Sequence, residues 1–182
     1  KPSRSKITAL NLFLQDIYNK QRILKDGVVP EFLVLSAQQY HPELRSTKLP
    51  ENIYIHVSGC DLIRDQKGQY LVLEDNLRCP SGVSYMLESR QVLKRIFPRL
   101  FPSSEVEPIQ HYPDHLLKTL RSLAPNDKSN PLVALLTPGP HNSAYFEHCF
   151  LALKMGIQLV EGRDLLVRDH CLFMRTTQGL QQ

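Results

Sequence analysis

The side chains that best fit a defined chemistry in this sequence are Asp61, Glu74 and Asn76. Two short, mostly apolar stretches, 62–64 and 69–73, are separated by four polar residues that end in glycine, which predicts a β-hairpin. Asp61 begins the first arm of this hairpin, and Glu74 and Asn76 end the second. Because side chains alternate between the two faces of a strand, Glu74 and Asn76 are expected on the same face.

The register of the hairpin decides whether Asp61 shares that face. If the turn makes Arg64 oppose Gln69, Asp61 opposes Val72 and lies diagonal to Glu74, at about 7–8 Å. A shift of two residues would place Asp61 directly opposite Glu74, whereas a shift of one would move it to the other face. Carboxylate and amide oxygens are the ligands that Mg²⁺ prefers. The spacing therefore predicts a magnesium site, and the alternative is a solvated hairpin face with ordinary acidic residues.

A second candidate lies just after the hairpin, where a helix is expected over 83–96 with Ser81 as its N-cap. The free N–H groups at a helix start can bind a phosphate or carboxylate. Arg78 could hold the same anion through two hydrogen bonds, and Ser81 and Gly82 would lie beside it. The alternative is an ordinary N-cap next to a surface arginine.

The remaining elements indicate a mixed α/β (α+β) fold. In the first half, the pattern predicts a helix over 7–25 and strands over 32–35 and 53–57. In the second half, an apolar strand, a helix and another strand follow one another over 132–136, 143–155 and 157–160, which predicts a βαβ unit with parallel strands.

The turn inside that βαβ unit, Thr137-Pro138-Gly139, is a further candidate site for an anion or a substrate, with a plain βα turn as the alternative. After the unit, 165–167 and 172–174 predict a second hairpin.

Composition limits the class of protein. The chain has 182 residues, of which 42% are apolar and 22% charged, which excludes a disordered tail, a collagen-like fibre and a disulfide-dense miniprotein. A net charge of +4 without a basic block gives no reason to expect nucleic acid, and no apolar run reaches the roughly 20 residues of a membrane span. The four cysteines form no CxxC pair, so we expect a reduced, cytoplasmic setting. The oligomeric state is left open.

Several longer stretches carry a family resemblance. The hairpin region, including LEDNLRCPSGVSY over 73–85, resembles the circularly permuted ATP-grasp family, type 2. The segments 136–139, 142–148 and 160–165 resemble the same family, so the likeness covers nearly the whole chain. These proteins are similar to ATP-dependent carboxylate–amine ligases of the glutathionylspermidine synthetase type.

The resemblance implies both cofactors and roles. Asp61, Glu74 and Asn76 would hold Mg²⁺ against the phosphates of ATP. Arg78, as a catalytic and nucleotide-binding residue, and the Ser81-Gly82 loop would contact the nucleotide or the substrate. In such enzymes ATP phosphorylates a carboxylate, and an amine then attacks the acyl phosphate. The partners would be small-molecule or peptide-like carboxylates and amines.

The resemblance also implies a division of the chain. Residues 1–103 would form the metal-bearing half of an ATP-grasp domain, and 104–182 would form a pre-ATP-grasp-like α/β domain. The other half of the nucleotide clamp has no counterpart here, so we expect a fragment of a ligase, or a shortened relative, that is inactive alone. The alternatives are a non-catalytic binding or assembly module and an enzyme acting on phosphate esters or sugar nucleotides.

Overall fold

The first part of the chain is built on an amphipathic helix, α1 (Pro2–Tyr18). Its apolar positions recur every three to four residues, and they bury Ile17 and Tyr18. The ring of Tyr18 lies between those of Tyr40 and Tyr54, with centroid distances of 5.4 Å and 5.8 Å. The computed structural model describes residues 2–78, 80–104, 106–124 and 130–182.

The helix predicted over 7–25 is interrupted. Gln21 has a φ of 53°, and its N–H bonds to the carbonyl of Asp16, so the chain leaves α1 and re-enters a short helix, α2 (Arg22–Lys25). A second short helix, α3 (Glu31–Leu35), stands where a strand was predicted over 32–35. That prediction was wrong because a brief apolar run fits either structure, and Pro30 and Glu31 favour a helix start.

The strand predicted over 53–57 was also wrong, since this segment is irregular. The side-chain oxygen of Asn11 on α1 accepts the backbone N–H groups of Tyr54 and Ile55 at 2.8 Å and 3.2 Å. These donors are therefore taken by a side chain instead of a neighbouring strand. The predicted hairpin is confirmed, and its arms are β1 (Gly59–Arg64) and β2 (Tyr70–Asn76).

The second part of the chain contains the predicted parallel pair. Strand β3 (Ala134–Leu136) lies parallel to β4 (Gln158–Val160), and helix α7 (Tyr145–Met155) connects them. The remaining helices are α4 (Val83–Ile96), α5 (Leu100–Ser103) and α6 (Tyr112–Ser122). A three-stranded antiparallel sheet follows, with β5 (Leu165–Arg168), β6 (Cys171–Thr176) and β7 (Gly179–Gln181). The hairpin predicted there is thus confirmed, with one further strand.

The core of this second part gathers side chains from helices and strands alike. It includes Leu87 of α4, Ala152 and Met155 of α7, Val160 of β4 and Met174 of β6. A mixed α+β fold is therefore confirmed. Among the described residues, no helix is both long enough and apolar enough to cross a membrane.

The chain divides into two compact units, which we call unit 1 (Lys1–Pro80) and unit 2 (Ser81–Gln182). This division falls before the boundary at 103/104 that the family resemblance implies. The assignment of 1–103 and 104–182 to an ATP-grasp half and a pre-ATP-grasp-like domain stays a prediction.

Candidate functional site

The turn of the hairpin sets a register that differs by one residue from the expected one. The carboxylate of Asp65 accepts the N–H groups of Lys67 and Gln69 at 2.9 Å and 2.8 Å, which closes the turn. As a result Arg64 opposes Tyr70 and not Gln69. A one-residue shift on its own would send Asp61 to the face opposite Glu74.

An irregularity further along the hairpin shifts the register by one more residue. Leu62 opposes Val72, but Asp61 opposes Glu74, so Leu73 is an extra residue on β2, as in a β-bulge. The two shifts together place Asp61 directly opposite Glu74. Directly opposed residues share a face, so both carboxylates project from the same side of the hairpin.

Asn76 completes this group, which we call the hairpin triad: Asp61, Glu74 and Asn76. Its side-chain Nδ2 donates a hydrogen bond to Oε1 of Glu74 at 3.2 Å, so its own oxygen is directed away from that carboxylate. Gly59 opposes Asn76, and a Cβ at Gly59 would lie only 2.8 Å from Cβ of Pro80. All members of the triad are exposed, so the face is open to a ligand.

The other face of the hairpin is tied to α1. Asp75, between Glu74 and Asn76, has a side chain only 8% exposed, and its Oδ2 lies 2.6 Å from Nζ of Lys6. Its Oδ1 accepts a hydrogen bond from Sγ of Cys60 at 2.9 Å. The hydrogen bond from Cys60 lowers the pKa of Asp75 most, and the contact with Lys6 lowers it further. They hold β2 in place and keep Asp75 out of the triad.

This contact makes the stability of unit 1 depend on pH. Because the pKa of Asp75 is lowered in the folded protein, its carboxylate stabilises the fold above the ordinary aspartate pKa of 3.8. That contribution disappears as the pH falls through the lower, folded value. We expect Asp75→Asn to lower the urea midpoint at neutral pH, and the difference from wild type to close in strong acid. A difference that stays constant with pH would contradict the ion pair.

The donor set of the hairpin triad fits a hard cation such as Mg²⁺. Two carboxylates and an amide offer oxygen ligands only, and direct opposition of two carboxylates is unfavourable without a cation. Among the described residues, no group of three or more His, Cys, Asp and Glu side chains is placed to hold a metal ion. The triad differs from such a group, since its third member is an asparagine.

The start of α4 is held differently from the sequence expectation. Ser81 is exposed and is not the N-cap, so that prediction was wrong. Gly82 takes the cap position with a φ of 95°, a conformation that favours glycine. The carboxylate of Glu147 on α7 accepts the N–H groups of Gly82 and Ser84 at 2.8 Å and 3.1 Å. The helix start thus binds an anion, and that anion is the protein's own side chain.

Glu147 was missed by sequence reasoning, because its partners lie more than sixty residues earlier in the chain. It is only 8% exposed. Burial raises the pKa of its carboxyl, but the hydrogen bonds from Gly82 and Ser84 outweigh burial, so the pKa is lowered. Glu147 therefore stays ionised at neutral pH and neutralises the positive end of α4.

The other predicted positions are more isolated. Arg78 is exposed and follows the end of β2 by two residues. In unit 2, Thr137 is buried, and its Oγ1 lies 2.9 Å from Nδ1 of His148 and accepts the N–H of Gly139 at 3.2 Å. The Thr137-Pro138-Gly139 turn is thus closed by its own bonds, and its role as an anion or substrate site stays a prediction.

Comparison with known proteins identifies the class. The model of the circularly permuted ATP-grasp type 2 family matches residues 3–182. The chain therefore belongs to this family, as its sequence resemblance implied.

Proteins from three organisms are similar in sequence to this chain. The uncharacterized protein sll0335 of Synechocystis sp. is 52% identical over 182 residues, which is 100% of this chain and 38% of that protein. The uncharacterized protein Rv2411c of Mycobacterium tuberculosis is 50% identical over 177 residues, 97% of this chain and 32% of that protein. A Frankia casuarinae protein named "Putative glutamate--cysteine ligase 2-2" is 40% identical over 171 residues, 93% of this chain and 20% of that protein. The chain thus spans well under half the length of these relatives.

Proposed function

We propose that the whole protein is an ATP-dependent carboxylate–amine ligase that works through an acyl phosphate, and that this chain supplies its metal-binding part. Membership of the ATP-grasp family and the name of the Frankia casuarinae relative, "Putative glutamate--cysteine ligase 2-2", support this proposal. The observation that carries it is the register of the hairpin, which sets Asp61 opposite Glu74 with Asn76 alongside.

The hairpin triad would bind Mg²⁺ through the carboxylate oxygens of Asp61 and Glu74 and the amide oxygen of Asn76. Bound there, the ion would neutralise phosphate charge and orient the terminal phosphate of ATP for transfer. The protein's own part is to hold the three side chains on a face whose reverse side is fixed by Asp75 and Lys6. The amide of Asn76 would rotate on binding, so that its oxygen, in place of Nδ2, faces the ion.

Arg78 is proposed as a catalytic contact to phosphate. Two residues of extended chain span about 7 Å, a distance that an arginine side chain can reach. Its planar guanidinium can donate two parallel hydrogen bonds to phosphate oxygens and offset the charge that develops in transfer. Ser81 and Gly82 are proposed as further contacts. Since the Gly82 N–H is bonded to Glu147, a nucleotide would use the exposed Ser81 hydroxyl first.

The proposed reaction has two steps, phosphorylation of a carboxylate and formation of the amide. A substrate carboxylate oxygen attacks the terminal phosphorus of ATP, and ADP leaves with the electrons of the broken P–O bond. The amine nitrogen then attacks the acyl carbon, phosphate leaves, and the nitrogen loses a proton, which gives an amide. The Frankia casuarinae relative is named "Putative glutamate--cysteine ligase 2-2", so amino acids are the first carboxylates and amines to test.

We expect ADP release by the whole protein to depend on both a carboxylate and an amine. Amino-acid pairs, short peptides and polyamines would be screened with Mg²⁺ and ATP, with amide formation followed by mass spectrometry. Carboxylate alone in the presence of hydroxylamine should yield a hydroxamate, because hydroxylamine traps acyl phosphates. ADP release that needs neither substrate, or a phosphorylated or cleaved sugar as product, would contradict a ligase. Binding of ATP with no turnover for any pair would favour a non-catalytic module.

A further inference from the structure

Unit 1 contains a cavity of about 490 Å³ beside the carboxyl end of α1. Its volume falls within the range of about 300–1,000 Å³ that is typical of small-molecule sites. Leu12 contributes apolar surface, and polar or charged residues supply the rest of the wall. The residues on which the inference rests are Asp16, Asn19, Lys20, Arg22, Lys48 and Asn52.

Positive charge predominates in this cavity. Lys20, Arg22 and Lys48 face a single acidic residue, Asp16, among the described residues that line it. Nε of Arg22 lies 3.5 Å from Oδ1 of Asp16, so that pair is mutually compensated. Across the ranges that the structure describes, Lys20 and Lys48 make no ion pair. Two uncompensated ammonium groups in one cavity attract an anion.

Asp16 is bonded within the protein. Its Oδ2 accepts the N–H of Ile23 at 2.9 Å. That bond lowers the pKa of Asp16, so the carboxylate is ionised at neutral pH. Its Oδ1 is buried and lies 3.5 Å from Nε of Arg22. Asp16 and Arg22 therefore compensate each other, and the charges of Lys20 and Lys48 are left for a ligand.

The wall of the cavity is held in place before any ligand arrives. The N–H of Ser46 donates to the carbonyl of Tyr18 at 2.8 Å, and Nδ2 of Asn11 donates to the carbonyl of Asn52 at 3.0 Å. Ser46 adopts a φ of 61°, which a serine keeps only where its surroundings enforce it. These contacts fix the loop that carries Lys48 against α1, and a fixed wall reduces the entropy lost on binding.

We infer that this cavity binds a small molecule with an anionic head group, a carboxylate or a phosphate. Lys20 and Lys48 contact the anion. Asn19 and Asn52 supply the remaining polar contacts. The site goes beyond the proposed ligase chemistry and uses none of the residues assigned to Mg²⁺ or ATP.

Two probes separate the possible head groups. L-Glutamate offers carboxylates, and inorganic phosphate offers a phosphate group. Each would be titrated into the full ¹⁵N-labelled chain, with the amide signals of Thr47, Lys48 and Asn52 followed by NMR. We expect at least one probe to move these signals, and Lys20→Gln combined with Lys48→Gln to weaken its binding at least about tenfold. Lys67→Gln, which removes one positive charge elsewhere in the same unit, should leave binding unchanged, and the single variants Lys20→Gln and Lys48→Gln are its charge-matched counterparts.

Each result of this experiment supports or overturns the site. Binding of glutamate alone assigns the carboxylate class, and binding of phosphate assigns the phosphate class. The inference fails if neither probe moves these amides, or if the lysine pair and Lys67 variants weaken binding equally. Circular dichroism would check that the variants are folded. Since Asp61→Ala leaves the cavity intact, probe binding by that variant would show that this site stands even where the ligase proposal fails.

Discussion

Replacing Asp61 or Glu74 by alanine is expected to weaken binding of Mg²⁺–ATP to the whole protein at least about 100-fold, because loss of residues that only support a metal ligand already costs about 10–100-fold. Each variant removes one of two opposed carboxylates and leaves a single carboxylate to balance the ion. Isothermal titration calorimetry with ATP at fixed Mg²⁺ would measure the change, and amide formation should fall at least as far.

A matched control exists on the same strand. Asp75→Asn removes a carboxylate between Glu74 and Asn76, but on the face that contacts Lys6, so we expect it to lower stability and to weaken Mg²⁺–ATP binding far less than either alanine variant. Removing Asp61 or Glu74 also relieves repulsion between opposed carboxylates. In buffer without divalent cations, the alanine variants should therefore unfold at no lower urea concentration than wild type. Unchanged Mg²⁺–ATP affinity in both alanine variants would refute the assignment.

The second large effect concerns Glu147. We expect Glu147→Ala to lower the free energy of unfolding of unit 2 by about 2–4 kcal/mol, because two N–H groups at the start of α4 lose a charged acceptor inside the protein. Glu147→Gln keeps one oxygen acceptor and should cost less, about 1–2 kcal/mol. Urea unfolding followed by circular dichroism would measure both.

The pH dependence of unfolding provides a second test of the role of Glu147. Because the pKa of Glu147 is lowered in the fold, its advantage over glutamine is complete above the ordinary glutamate pKa of 4.5 and shrinks as the pH falls through the folded value. Glu107→Ala is the control, since that side chain is exposed and its backbone carbonyl, which bonds Arg90, is retained. Equal losses for Glu147→Ala and Glu107→Ala would rule out the capping role.

Local pattern was enough to predict most of the elements near the site. Alternating apolar residues around a polar turn that ends in Gly68 predict the hairpin, and helix α4 occupies the predicted range, Val83–Ile96. The parallel pair of β3 and β4 follows from an apolar strand, a helix and a second strand in that order. In each case residues close in sequence carry the information.

The errors arose where distant residues decide the local structure. The segment at Tyr54 and Ile55 has strand composition, but Asn11 takes its N–H groups. Ser81 has the ideal chemistry for an N-cap, but Glu147 supplies the anion from another helix. Neither partner can be recognised from spacing, because the pairing depends on how the helices pack.

The register of the hairpin was predicted only in part from the sequence. The shared face of Asp61 and Glu74 was one of the outcomes that the sequence allowed, yet it arises from a one-residue shift at the turn plus an extra residue at Leu73. Sequence patterns rarely reveal a bulge of this kind, because the unpaired residue differs little from its neighbours. The members of the proposed site could therefore be named from residue types, whereas their relative geometry could not.

The central claim is that Asp61, Glu74 and Asn76 hold one divalent cation together. Crystals of the whole protein grown with ATP and Mn²⁺, an oxygen-preferring substitute for Mg²⁺, would locate the ion by its anomalous scattering. The account predicts an anomalous peak within about 2.5 Å of oxygens from all three side chains. A fully occupied manganese ion bound beside ATP by other residues, with these three turned towards solvent, would contradict it.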